Sequence, residues 1–363
     1  MFDSVFQNKK ILITGHTGFK GSWLSLWLQS LGAELCGYSD CVFDDPSHFS
    51  LLNLESSIRH ELGDICDRDR LANVVNEFKP DVVFHLAAQA LVHDSLRAPL
   101  ATIQTNTMGT ATLLDVVKDY PKIQAVILIT SDKVYENNEW AWGYRETDPM
   151  GGKDPYSASK AAAELVINSF LRCYFDKAET IIATGRAGNV IGGGDWAKDR
   201  IVPDCIRAWH AGAPAKIRNP LATRPWQHVL EPLSGYLRLA ELALSGTQSI
   251  NHQAYNFGPA SEVTQNVQEL LSSMSARWPE SAWRDESDPE KLAAPEAGLL
   301  KLSCDKAHRE LNWFPTWNYK DTVANTIDWY RAYSTNPDFD ARTFSLDQIK
   351  SYSATATAQL QES

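Results

Sequence analysis

No run of about 18 apolar residues occurs in the 363-residue chain, so nothing in it reads as a membrane-spanning helix. The first ten residues also lack the apolar core of a signal peptide, because Asp3 and the polar run Gln7-Asn8-Lys9-Lys10 interrupt them. A cytoplasmic location with no membrane partner is expected. Cysteine is sparse. Its six copies (Cys36, Cys41, Cys66, Cys173, Cys205 and Cys304) form no CxxC pair and join no Cys/His cluster with zinc spacing. That argues against a disulfide scaffold and against a metal site, and it suits reduced thiols. Positive charge is short: 34 Lys and Arg stand against 45 Asp and Glu, for a formal net charge of -11. Such a chain repels phosphate backbones, so nucleic acid is not an expected partner, although a small anion can still sit in a locally positive cradle. No internal repeat is visible. The one biased tract is a polar tail from about Ser351, expected to fray.

What is present is a core. Hydrophobic residues make up 44% and charged residues 22%, enough for one large domain or two. The first half alternates. Short strands are expected at Lys10–Thr14, Ala33–Tyr38, Asp81–Leu86, Ala125–Thr130 and Thr180–Thr184, with a weaker one at Ile58–Leu62. Between them lie helical patterns at Trp23–Leu31, Leu71–Phe78, Thr105–Val117 and Tyr156–Phe175. Buried strands alternating with helices mean an α/β fold with a parallel sheet covered on both faces. After Gly185 the style changes: Gly192-Gly193-Gly194-Asp195 is a turn cluster, and proline and tryptophan become common. This half reads as a smaller, mixed substrate region.

The first strand runs into Gly15-His16-Thr17-Gly18-Phe19-Lys20-Gly21, which opens the first helix. Glycines at such a turn let the backbone approach a pyrophosphate, and the helix N-terminus offers free N–H groups. Gly15, Thr17, Gly18, Phe19, Lys20 and Gly21 are thus candidate dinucleotide contacts. Asp40 ends the second strand about 20 residues on, where a carboxylate bonds the ribose hydroxyls. No Arg stands beside it to meet a 2′-phosphate, which favours NAD over NADP. The plainer alternative for Asp40 is a solvated loop carboxylate. Farther on, Tyr156-Ser157-Ala158-Ser159-Lys160 places Tyr and Lys four apart, on one face of a helix that Asp154-Pro155 begins. A nearby ammonium favours phenolate, so the pair can take a proton from a sugar hydroxyl while a hydride leaves the carbon.

Taken together, TGHTGFKG, GDI (63–65), HLAAQ (85–89), TSDKVY (130–135), YSASK (156–160), GRAGNVIGGGD (185–195) and YNFG (255–258) resemble the extended short-chain dehydrogenase/reductase family. The resemblance implies a Rossmann-type doubly wound domain over 1–185, joined by 229–260. A smaller nucleotide-sugar domain would take 186–228 and 261–350, leaving 351–363 as tail. Within the family, GHTGFKGSWL with TSDKVY is most similar to the 4,6-dehydratase branch that acts on CDP-glucose. GDP-mannose and dTDP-glucose dehydratases, UDP-sugar 4-epimerases and a catalytically silent NAD-binding regulator stay open as alternatives. A homodimer or homotetramer is the family's habit.

The resemblance also assigns roles. Related dehydratases carry Thr-Asp-Glu at the end of the catalytic strand, and this chain has Ser131-Asp132-Lys133. Asp132 would then protonate the departing C6 oxygen, Lys133 would take the C5 proton in place of Glu, and Ser131 would bond the C4 hydroxyl. A Lys base needs a lowered pKa. A solvated strand-end ion pair is the plain alternative for Asp132 and Lys133. Asp64 and Ile65 would lie near the adenine, and Leu86, Ala87 and Ala88 near the cofactor's ribose and phosphate. Asn106 would support the Tyr–Lys pair, unless it is only helix surface. Gln89, Asn189, Arg207 and above all Arg224 are the candidate substrate contacts, ahead of Lys216 and Arg218. Trp140 and Trp142 line the pocket or pack a lid.

Overall fold

The computed structural model describes residues 1–2, 4–42, 46–287 and 299–362. Residues 288–298 of the expected substrate region, residue 363 of the tail and Asp3 lie outside the described residues. The strands are β1 (Lys10–Thr14), β2 (Glu34–Ser39), β3 (Arg59–Leu62), β4 (Val82–His85), β5 (Ala125–Ile129), β6 (Ile181–Ala187), β7 (Val190–Ile191), β8 (Ala215–Ile217), β9 (Gln227–His228), β10 (Ala254–Phe257) and β11 (Trp283–Asp285). Helices α1 (Phe19–Ser30), α2 (His48–Leu51), α3 (Arg68–Phe78), α4 (Val92–Arg97), α5 (Pro99–Ile103), α6 (Gly109–Val117) and α7 (Pro155–Tyr174) belong to the first half. Then come α8 (Ile201–His210), α9 (Leu230–Leu244), α10 (Val267–Ser275), α11 (Asp305–Leu311), α12 (Tyr319–Thr335) and α13 (Ala341–Glu362).

Among the described residues, seven strands form one sheet in the order β10-β6-β5-β4-β1-β2-β3, every pairing parallel. Side chains alternate faces with the pleat. Ile11 and Ile13 of β1, Val82 and Phe84 of β4 and Ile127 of β5 enter one core with α1, α9, α12 and α13. Leu12, Val83 and Val126, the residues between them, enter the other core with α3, α6 and α7. The strand order reverses between β1 and β4, and a parallel sheet opens its ligand crevice at the carboxyl ends there. The pairs β8·β11 and β7·β9 lie outside this sheet.

Two local expectations are corrected. The helix expected over Thr105–Val117 forms, but its first turn is π-helical: Gln104–Met108 joins α5 to α6. Such turns swing side chains out of the regular helical register, often at functional sites. The tail is not frayed. It continues α13, because Ile349, Tyr352 and Ala356 form a narrow buried edge within a polar sequence. The Tyr352 hydroxyl donates to Glu231 at 2.7 Å, and its ring packs edge-on against Trp27 and Trp317.

Candidate active site

The glycine turn is built to receive backbone-close ligands. Gly15 has φ +77°, and a Cβ there would stand 2.7 Å from the Ala87 nitrogen. A Cβ on Gly21 would meet the Gly15 carbonyl oxygen at 2.1 Å, so only glycine fits where helix and turn cross. No side chain caps α1, and no acid occupies its first turn, which leaves that N-terminus to an anion. Thr17 ties the turn to the end of β2, its amide reaching Ser39 Oγ at 3.4 Å and its hydroxyl the Cys41 carbonyl at 2.8 Å. Asp40 follows directly and is exposed, open to a ribose. Behind the turn His16 is buried between Ser39 and His60, at 2.9 and 2.7 Å. Burial, helped by His60, pushes its pKa down to about 3.

The neighbouring strand ends complete the groove. Asp64 is exposed beyond β3 and its carboxylate accepts from the Cys66 amide at 2.8 Å, while Ile65 is buried against Gly109. Leu86, Ala87 and Ala88 follow β4 and stay half-buried, with the Leu86 amide donating to the Thr14 carbonyl at 3.0 Å. Asn106 is not helix surface. It is 1% exposed on the π-turn, accepts from the Gln89 amide at 2.8 Å, and donates to Ser159 Oγ at 2.8 Å. It thus fastens the loop after β4 to the helix that carries Tyr156 and Lys160. Gln89 Oε1 is buried with no protein partner.

Asp154 caps α7 by accepting from the Ser157 amide at 2.9 Å, and Pro155 stands in its first turn, so Tyr156 enters the crevice at the helix mouth. Lys160 lies one turn deeper and donates to the Ile129 carbonyl at 3.4 Å. Burial lowers Lys160 to about 8 against the pull of Glu164. The expectation of a lowered phenol is not met. Burial raises Tyr156, with Asp132 adding to it, and outweighs the opposing influence of Ser131 and Arg200.

Ser131 caps a 3-10 turn, Asp132–Val134, that projects the acid into the same crevice. Its hydroxyl donates to Asp132 Oδ1 at 3.0 Å and accepts from the Lys133 amide at 3.2 Å. Asp132 is only 3% exposed, which removes the solvated-pair alternative for it. Burial raises its pKa, opposed in order by Lys133, Ser131, Lys20 and Arg224. The loop after β6 closes over it: a Cβ on Gly188 would lie 2.7 Å from Asp132 Oδ2, and exposed Asn189 comes next. Lys20 points here as well. Burial, Arg200 and Lys160 together push its pKa down to about 7, while Asp132 pulls it up.

Not every candidate gathers here. Arg207 donates to the carbonyls of Trp196 and Ala197, at 2.9 and 3.3 Å, and pairs with Asp204, so it braces the loop after β7. Lys216 and Arg218 form exposed ion pairs with Glu286 and Asp199. Trp142 is 66% exposed, and Trp140 packs on Tyr144. Three site neighbours escaped the sequence reading. Arg200 pairs with Asp195 at 3.1 Å and acts on Tyr156. Tyr236 of α9 lies below the Lys20 ammonium, its hydroxyl buried without a partner. Glu164 was within reach of the reading, because it stands four residues beyond Lys160.

A dinucleotide turn, a Tyr/Lys helix and a buried acid at one sheet edge define a hydride-transferring enzyme with an elimination step. The match to known proteins agrees. Residues 12–326 match the family described as GDP-mannose 4,6 dehydratase, and the chain belongs to that family. It is 45% identical over 347 residues to the CDP-glucose 4,6-dehydratase of Salmonella typhimurium, covering 93% of this chain and 95% of the relative. The dTDP-glucose 4,6-dehydratase of Streptomyces venezuelae, solved with NAD bound, superposes with a TM-score of 0.72 at 24% identity, covering 89% and 97% of the two chains. The UDP-glucose 4-epimerase of Thermotoga maritima gives 0.77 at 21% identity, covering 89% and 98% of the two chains. Fold likeness alone therefore does not separate dehydratase from epimerase. No helix among the described residues is long and apolar enough to cross a membrane.

Proposed function

We propose that the chain is an NAD-dependent CDP-glucose 4,6-dehydratase, forming CDP-4-keto-6-deoxyglucose and water. One observation carries this reading: Asp132, a buried carboxyl held above the usual carboxylate range, stands beside the hydride-transfer pair. Such a group keeps a proton to give to a leaving oxygen, a step that epimerisation lacks. The 45% identity to a CDP-glucose enzyme, against 24% to a dTDP-glucose enzyme, supports the cytidine nucleotide.

The glycine cradle and the uncapped α1 N-terminus fit a dinucleotide pyrophosphate, with Asp40 at the adenosine ribose. NAD, when bound, supplies the acceptor for the C4 hydride and its return to C6. Tyr156, backed by Lys160, takes the C4 hydroxyl proton, and Ser131 orients that hydroxyl. The resulting C4 ketone acidifies the C5 hydrogen. Lys133 takes that proton while Asp132 protonates the C6 oxygen, which leaves as water. Arg224, with Asn189 and Gln89, is the substrate-side contact, and its charge already acts on Asp132.

The nucleotide sugar occupies the region of 186–228 and 261–350 beside the crevice. The protein works in the cytoplasm as a homodimer or homotetramer. Exposed Leu96, Leu100, Ile103 and Leu165 on α4, α5 and α7 support a self-association face. Sedimentation of the chain against Leu100→Asp tests that part.

Purified protein with NAD and, separately, CDP-, dTDP-, GDP- and UDP-hexoses tests the whole reading. The expected result is an alkali-absorbing 4-keto product from CDP-glucose. Product from another base overturns the substrate. An epimer overturns the dehydration, and tight NAD binding without turnover favours a silent regulator.

A further inference from the structure

One turn beyond Lys160 stands a carboxylate that the proposed chemistry does not use. Glu164 is 2% exposed and follows Tyr156 and Lys160 along one face of α7. Its oxygens are fully engaged. Arg186 donates Nε to Oε1 and Nη2 to Oε2, each at 2.7 Å, and the Thr130 hydroxyl donates to Oε1 at 2.6 Å. Arg186, also 2% exposed, comes from β6 and donates Nη1 to the Tyr135 hydroxyl at 2.8 Å. Tyr135 in turn donates to Asn256 of β10 at 2.7 Å. A buried chain of polar contacts thus crosses from the catalytic helix to the sheet edge.

Stability alone is a weak reason for such a pair. Desolvating two charges largely offsets their attraction, and apolar residues of like volume do as well. The placement suits the lysine instead. Lys160 holds the last carbonyl of β5 at 3.4 Å, and Glu164 is fixed to the very next residue, Thr130. The groups that act on Lys160 are Glu164 on its own helix, Lys20 from α1 and His85 from β4, with Arg186 behind Glu164, while Tyr156 shares its helix face one turn back. Burial keeps His85 neutral, its pKa pushed down to about 3, and Lys20 repels the ammonium. Among these neighbours only Glu164 brings a countercharge.

We propose that Glu164, clamped by Arg186 and Thr130, is a positioning residue that holds the Lys160 ammonium in place beside Tyr156. The role in turnover rests on the dehydratase reading, whereas the effect on Lys160 does not. Burial already brings Lys160 to about 8, and Glu164 is the group that raises it. Without Glu164 the amine titrates lower, and the helix face that carries Tyr156 loses part of its positive charge.

Competitive acetylation across pH, read by mass spectrometry of the Lys160 peptide, follows that amine in the full chain with no substrate present. Glu164→Gln removes the charge. Glu164→Gln with Arg186→Met removes the pair together and leaves no orphaned guanidinium to unfold the protein. Glu164→Asp restores a shorter carboxylate. The Lys160 midpoint is expected to fall in the first two variants and to lie between them and the wild type in the third. With CDP-glucose near pH 7, kcat should fall and the pH–rate profile should shift in step with the Lys160 midpoint, with KM nearly unchanged. A folded double variant whose Lys160 midpoint and pH–rate profile match the wild type overturns the proposal. If the wild type turns over no sugar nucleotide, the dehydratase reading fails, and the acetylation midpoints still decide the role of Glu164.

Discussion

The crevice has two unlike walls. On the α7 wall, most polar groups beneath the surface have protein partners, Gln89 Oε1 excepted: Asn106 is bonded to Gln89 and Ser159, and Glu164 to Arg186 and Thr130. On the α1 and α9 wall, charges of like sign crowd together. Lys20 faces Arg200 and Lys160, and the Tyr236 hydroxyl is buried with no partner. A saturated polar network holds one geometry, whereas an unsatisfied one is costly until a ligand completes it. The first wall is therefore set before substrate arrives. The second is completed by what binds.

The largest test of this contrast is Tyr156→Phe. It should cut 4-keto product formation about 10²–10⁴-fold, the usual worth of a positioned acid–base group, with melting temperature little changed. If activity survives, the α7 wall is not the hydride-transfer wall. Asp132→Asn is next. It should lower dehydration about 10²-fold while leaving C4 oxidation, seen as reduced-cofactor absorbance that does not decay. Equal loss of both steps would merge the two walls into one function.

Stability against pH gives the third test. His48 is buried between Ser22 of α1 and Ser345 of α13, and burial lowers it to about 3. Between its ordinary pKa of about 6.5 and that value, the unfolded chain binds a proton that the folded chain refuses. Stability present above pH 6.5 is therefore lost as pH falls, and His48→Gln should flatten that slope in melting curves. Glu231 has the opposite sign. Burial raises it to about 7, so the folded chain keeps a proton that the unfolded chain releases above about 4.5. Its contribution is full below pH 4.5 and fades as pH rises through 7, so Glu231→Gln should remove that decline. The smallest effect is expected from Tyr352→Phe, which deletes one donor to Glu231. It should cost about 1–3 kcal/mol in denaturant titrations and leave kcat unchanged.

Strands β1 to β6 were legible, mostly as short apolar runs between turns although β3 is the polar Arg59–Leu62, and β1 matches its expected bounds, whereas β7 to β11 were not read. The glycine turn, Asp132 and the Tyr–Lys spacing were legible because their chemistry is local in sequence. Long-range choices were hidden. Nothing near Arg207 shows that it binds the Trp196 carbonyl rather than a phosphate. Nothing near residue 186 shows that it meets Glu164, since that contact needs β6 beside β5. The docking of α13 was hidden for a similar reason. A polar helix with one buried edge reads as tail until Glu231, far away in sequence, gives Tyr352 a partner.

The placement of β10 has a consequence for how the molecule is made. Strand β6 ends at Ala187, but its outer neighbour begins only at Ala254. At about 5–20 residues per second, a ribosome leaves that otherwise buried strand edge bare for several seconds, available to any other nascent chain. Chains released before Phe257 would carry the bare edge permanently, so premature termination in this stretch should yield aggregate rather than a smaller soluble protein.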